Sequence, residues 1–258
     1  MTISIKRKIE LGKEAKELAI QQRREWELGI EPIPSVFSLL ESKGILIVRF
    51  PAENCDLSGF AMKLWNRSCI YINSNDVLGR QIFSSAHELC HLIHDLTTES
   101  IKVCYHSAEE EVDEYRAERF AAEFLMPQEK VIEICDSLVG NNHRLTKVEQ
   151  VIELQHRFKV SFSAMLNRLL RTRRISKALY DNLKKLSTIS RIVDLHKLTL
   201  NTGKSLDLII KSDPYIPYHF IDTLNKNYHD GLITWEKFQS VLQLIGKGED
   251  SELPGGEP

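Results

Sequence analysis

Five residues, His87, Glu88, Leu89, Cys90 and His91, restrict this chain more than any other feature of it. They form the pattern H-E-x-x-H inside the run SSAHELCHLIHD. On an α-helix the two histidines stand one turn apart on one face, so both imidazoles can point at a single metal ion. Glu88 lies about 100° round the helix from His87. That places it beside the ion's open coordination position, where a general base for water belongs. A catalytic zinc takes three protein ligands and keeps a fourth place open, so a third ligand must come from another element. Taken alone, the pattern also arises on charged amphipathic helices whose histidines are merely solvated.

His94 shares the face of the two histidines but lies seven residues from His87, about 10 Å along the axis, too far to join them on one ion. It is expected in the pocket or on the surface. The better source is the glutamate-rich helix expected over residues 108 to 125, stopped by Met126-Pro127 because proline cannot continue it. Glu114, Ala117, Glu118 and Ala121 fall on one stripe of this helix. The two alanines allow a close approach to the metal helix, and either glutamate could then reach the ion. Glu109, Glu110, Glu111 and Asp113 read as a solvated run near the helix start, where negative charge is favoured.

The surrounding pattern predicts an α+β fold, mostly helical, with a small three-stranded antiparallel sheet packed on the H-E-x-x-H helix. A charged helix over 5 to 27 ends at the Glu31-Pro32-Ile33-Pro34 punctuation, and Ser35 can cap a second helix that Gly44 stops. ILIVRF, GFAMKLW and SCIYIN are short, rich in β-formers and bounded by turn residues, as in a meander. The helical period then returns through QIFSSAHELCHLIHDL, with the metal motif expected in mid-helix. After a helix over 128 to 138 and the Gly140-Asn141-Asn142 break, VEQVIELQHRF, KVS and FSAMLNRLLR read as helix, turn, helix. Further helices reach about residue 246. The expected division is an N-terminal helical extension over 1–32, a domain built round the metal motif over 33–140, a basic helix-turn-helix-like region over 141–190, a C-terminal helical region over 191–248 and a disordered tail over 249–258.

At 258 residues with 27% charged and 42% hydrophobic residues, the composition is that of an ordinary soluble protein with a sizeable core. The charged amino terminus is unlike a secretory signal, and no run approaches the roughly 20 apolar residues that span a bilayer. The five cysteines are irregularly spaced and lack a C-x-x-C pair, so they read as reduced thiols of a cytoplasmic protein. Charge is divided along the chain. Residues 81 to 142 hold thirteen acidic side chains against four basic, and residues 143 to 197 reverse that balance. The acidic segment points to an acidic cleft suited to a basic peptide; the basic one, to a partner surface or a solvated helical face.

SSAHELCHLIHD followed by EYRAERFAAEFLMP resembles the ImmA/IrrE family of zinc-dependent metallo-endopeptidases, whose second signature has the form E-x-x-A-N-x-F-A-A-E-L-L-M-P. The GILIV and IYIN runs are similar as well, and the resemblance covers roughly residues 30 to 130. It implies one zinc ion held by His87, His91 and Glu114, with Glu88 as catalytic base. It also implies a helix-turn-helix repressor as substrate, cleaved to derepress stress-response or mobile-element genes. Two positions depart from the pattern. Cys90 stands where the family has glycine, and Glu118 stands where it has asparagine, which leaves Glu118 as an alternative ligand. Manganese or iron could also occupy two histidines and a carboxylate. Oxyanion stabilisers are offered, by proximity in sequence alone, by Tyr105, His106, Tyr115 and His94.

The basic region has a second reading. Arg168, Arg171, Arg173 and Arg174 follow a helix-turn-helix spacing, so they could contact nucleic acid phosphates; the bland alternative is a helical bundle packed on the peptidase. Two other functions therefore stand beside the peptidase: a protein that grips a regulator without hydrolysing it, or is neutralised by one as a toxin, and a DNA-binding factor with a structural metal. The intact Glu88 speaks against the first, and an open metal position against the second.

Overall fold

The computed structural model describes residues 3–53, 56–97, 99–105, 112–139 and 143–245. Helix α1 (Ile5–Glu25) begins at Ser4, whose hydroxyl accepts from the Arg7 N–H, and buries Leu11, Ala15 and Ala19 against α4 (Val112–Leu125). Its last turn is anchored by Arg23, which donates to the carbonyls of Gly29, Phe124 and Glu31. Ser35 caps α2 (Val36–Ser42) as expected, and Gly44 leaves that helix at a φ of 77°, a conformation glycine adopts without steric cost.

The sheet differs from the expected meander. It has four strands, β1 (Ile45–Phe50), β2 (Leu57–Leu64), β3 (Arg67–Asn73) and β4 (Ser100–Tyr105), in the order β1-β3-β2-β4. β2 and β3 form the expected antiparallel hairpin, but β1 pairs with β3 in parallel. The reason lies at Asn73. Its amide oxygen accepts from Ala52 N–H at 3.0 Å and its amide nitrogen donates to Leu57 O at 2.9 Å, which clamps the link from β1 to β2 across the end of β3. The free side of β2 then takes β4 antiparallel. β4 was not foreseen because its pattern is inverted. Ile101, Val103 and Tyr105 alternate with Ser100, Lys102 and Cys104 as a strand requires, but it is this apolar face that is exposed while Cys104 is buried, the reverse of a strand packed on a core.

Helix α3 (Leu78–Cys90) lies on the sheet and carries the first half of the metal motif. The helix does not run on in α form, as expected, but passes at His91 into a π-helical turn (His91–Asp95), so the motif straddles a change of helix type. Such π segments are concentrated at functional sites. The start of α3 is held by distant chain. Leu78 N–H donates to Ile210 O, and Ser161 N–H donates to Gly79 O. A Cβ on Gly79 would stand 2.6 Å from Ser161 N, so glycine is what admits this approach.

Beyond α4 come α5 (Gln128–Val139), α6 (Val148–Phe158), α7 (Phe162–Arg171), α8 (Lys177–Lys184) and α9 (Ile192–Asn201). The helix-turn-helix spacing is present: Lys159 adopts a left-handed φ of 53° between α6 and α7, and Ser161 caps α7. One apolar core extends from Ala15 to Ile209 through all these elements. The segment after α9 returns to the sheet, where Tyr215 exchanges backbone hydrogen bonds with Arg49 on β1. Helices α10 (Tyr218–His229) and α11 (Trp235–Leu244) close a small second cluster of Leu224, Phe238 and Leu242. The expected disordered tail and the Gly140-Asn141-Asn142 break lie outside the described residues. Among the described residues no helix is long and apolar enough to cross a membrane.

Candidate metal centre

Three elements deliver the site. α3 and its π-helical extension supply His87, Glu88 and His91, α4 supplies Glu114, and β4 supplies Cys104. Ala117 and Ala121 are fully buried, and the absence of larger side chains there lets α4 lie close to α3 as the alanine stripe predicted. Glu114 Oε2 then stands 3.0 Å from His87 Nε2, and Oε1 stands 3.4 Å from His91 Nε2. The two histidine Nε2 atoms are 3.1 Å apart. Two imidazole nitrogens and the two oxygens of one carboxylate therefore converge, at separations close to the about 3.3 Å edge of a tetrahedron with bonds of about 2.0 Å. His87, His91, Cys104 and Glu114 each offer a ligand atom within 4.8 Å of the others. This set of two imidazoles, a carboxylate and a thiol fits a divalent metal ion of the zinc type.

Electrostatics support the same assignment. Burial would raise the Glu114 carboxyl, but hydrogen bonds from His87 and His91 outweigh it and hold that group well below the usual carboxylate range. Burial would also disfavour charge on His91, yet its bonds to Asp95 and Glu114 raise it to about 9. The His91 Nδ1–H donates to Asp95 Oδ2 at 2.5 Å, leaving the Nε2 lone pair for a metal. Asp95 is itself held by Arg116 of α4, which also reaches Asp113 and Glu14. This carboxylate behind a histidine is the outer support that metal sites use to fix ring orientation. The sequence reading missed Asp95, although its place four residues after His91 could have shown it.

Glu88 is fully buried beside the donors and is not one of them. Its carboxyl rests against the sheet at Gly59, where an added Cβ would meet Glu88 Oε1 at 3.0 Å and Tyr71 O at 2.8 Å. Oε1 has no partner among the described residues. Burial raises this acid to about 7 against the pull of His87 and His91. A β-bulge between Leu57 and Gly59 occurs where Ser58 Oγ donates to Cys104 O at 3.0 Å. That contact fixes β4 where its thiol meets the cluster.

The remaining sequence candidates separate cleanly. Glu118, the alternative ligand, turns from the cluster to accept from Arg171 at 3.4 Å. Cys90 is packed in the core. Tyr105 and Tyr115 line a cavity of about 740 Å³ that opens on His87 and Glu114. His94 is not in that lining and lies edge-on to Phe120; His106 falls outside the described residues, with Glu109, Glu110, Glu111 and Cys55. Arg168 is not a nucleic acid contact. It is 3% exposed, with its guanidinium on Glu123 and the Met126 carbonyl, because α7 packs against the peptidase core. Arg171 pairs with Glu118 and Arg174 with Asp136, while Arg173 is exposed.

The cavity runs between the metal helix and α7, whose Ser163, Ala164 and Asn167 face it. The expectation of an acidic cleft is corrected here. Among the described residues its charged lining comprises Lys8, Arg80, Arg171 and Lys184 against Glu114 and Glu118, with His87 beside them. Glu123, counted in the acidic segment, is spent on buried Arg168 instead.

The sequence pattern of the IrrE N-terminal-like domain, a peptidase family, matches residues 40–170, about half of the chain. The chain belongs to this IrrE-like peptidase family. The match spans β1 through most of α7, so it contains all the donors and the α7 wall of the cleft. The comparison with curated proteins finds no match. Membership in the IrrE-like family gives the buried donor cluster a chemistry, that of a metallopeptidase.

Proposed function

We propose that this chain is a zinc-dependent endopeptidase, and that its substrate is a helix-turn-helix transcriptional repressor of the kind the family resemblance implies. The observation that carries the reading is the convergence of His87, His91 and Glu114 beside a buried carboxylate, Glu88, that no ligand role consumes. His87, His91 and Glu114 would hold the zinc. When bound, zinc supplies a Lewis acid that polarises the scissile carbonyl and makes water acidic enough to deprotonate near neutrality.

The rest falls to the protein's own groups. Glu88 takes a proton from the attacking water and passes it to the leaving amine. A carboxyl raised to about 7 by burial suits both halves of that exchange, because a base that must also serve as acid works best near the working pH. Gly59 leaves the room that Glu88 needs. Asp95 holds the His91 ring, and Arg116 holds Asp95. Tyr105 and Tyr115 line the same cavity as His87 and are the candidates for the donor that a developing oxyanion needs.

Three incubations test the reading: the regulator with wild-type protein, with Glu88→Gln, and with chelator. Glu88→Gln should keep the metal and lose about 10²–10⁴-fold in cleavage rate. Cleavage confined to untreated wild type supports a peptidase. An intact regulator in a stable complex with every sample would make the chain a binder, and full activity of Glu88→Gln would end the mechanism.

A further inference from the structure

We propose that Cys104 is a fourth ligand of the same metal and that the resting site is closed by its thiolate. The proposal rests on the metallopeptidase reading and adds to it a residue that the two sequence signatures do not contain. Cys104 Sγ lies 3.7 Å from Glu114 Oε1 and 3.5 Å from Glu88 Oε2, and within 4.8 Å of the ligand atoms of His87 and His91. A tetrahedron with one bond to sulfur of about 2.3 Å and one to oxygen of about 2.0 Å has an edge of about 3.5 Å. The thiol therefore stands where the fourth corner belongs.

Two features show that this placement is built. Cys104 is the buried residue of an otherwise outward-facing strand, and the Ser58 hydroxyl ties its carbonyl at the bulge. The thiol also lies within reach of two carboxylates, Glu114 and the buried Glu88, whose Oε1 has no partner among the described residues. A divalent ion among these groups would favour the thiolate, because a coordinating thiol gives up its proton.

The proton has a receiver in place. As the S–H bond breaks and the sulfur–metal bond forms, the proton passes to Glu88 Oε2, which the thiol already faces; no electrons are exchanged. The closed site then has sulfur in the position that hydrolysis reserves for water, and its general base is occupied. Opening is the reverse step: the proton returns to sulfur, Cys104 leaves the corner, and Glu88 is again a carboxylate.

X-ray absorption at the zinc edge of the zinc-loaded full chain tests this directly. The expected first shell has one sulfur at about 2.3 Å among nitrogen and oxygen neighbours at about 2.0 Å, and Cys104→Ser should lose the sulfur while a light atom takes its place. A wild-type shell without sulfur overturns the proposal and leaves the three-ligand peptidase standing. Sulfur retained in Cys104→Ser overturns it in favour of another cysteine. Failure to take up one metal per chain defeats the metallopeptidase reading itself. The closure is tested by rate: Cys104→Ser should cleave the regulator faster than wild type, and equal or slower cleavage overturns the latent state.

Discussion

Gly59 and Asp95 never touch the proposed metal, yet each sets the geometry of a group that acts there. An alanine at position 59 would bring its Cβ within 2.8 Å of Tyr71 O and 3.0 Å of Glu88 Oε1. Neither the strand backbone nor a carboxyl wedged under α3 can yield easily, so Gly59→Ala should lower stability by about 1–3 kcal/mol, the usual cost of overpacking. Thermal unfolding measures that loss, and cleavage should fall further than metal content does. Asp95→Asn keeps the volume but weakens the hold on His91 Nδ1. Metal affinity should drop about 10–100-fold, read by competition with a chromophoric chelator; an unchanged affinity would show that the ring needs no support. The grouping of His87, Glu88 and His91 was legible because residues on one helix obey a fixed period. Gly59 and Cys104 were not, since they matter only through what the sheet brings together, β3 and Glu88 around Gly59 and the metal cluster beside Cys104, which no local pattern encodes.

Helix α7 shows how an element can carry the signature of one function and the packing of another. The turn before it and its alternation of apolar and basic residues read as a DNA-binding helix, and the spacing is real. What decides its role is burial: Arg168 lies inside, paired with Glu123 of α4, and the outer residues of α7 face the cleft. Removing one partner of a buried ion pair leaves the other charge stranded, so Arg168→Ala should cost about 3–5 kcal/mol in chemical unfolding. Arg173→Ala, at an exposed position, should stay within about 0.5 kcal/mol. Equal effects of the two would contradict the packing described. The glutamate helix presents the opposite case. Its buried alanines and the place of Glu114 beside the histidines follow the stripe, because small residues on one face permit close approach, whereas the contact of Glu118 with Arg171 comes from a distant helix that the stripe could not show.

The molecule as a whole is tuned by its buried charge cluster. His91 is raised to about 9 from 6.5 and Glu88 to about 7 from 4.5, so in the metal-free protein both groups hold protons more tightly folded than unfolded. Their contribution is greatest at low pH and is lost as pH rises through the folded values. Glu114 and Asp95 are depressed and contribute fully above the ordinary carboxylate range; His94 and His156 are lowered and change only below 6.5. The urea midpoint of chelated protein should therefore fall between pH 6.5 and 9, and a flat or rising midpoint would refute the assignment. The C-terminal segment sets a different condition on the same molecule. Ile210 meets the first turn of the metal helix and Tyr215 seals the outer edge of β1, although every proposed ligand is translated long before either. The two signatures are thus synthesised before the chain that moors their helix: the metal helix gains its last backbone anchors only once residues 210 to 215 have left the ribosome.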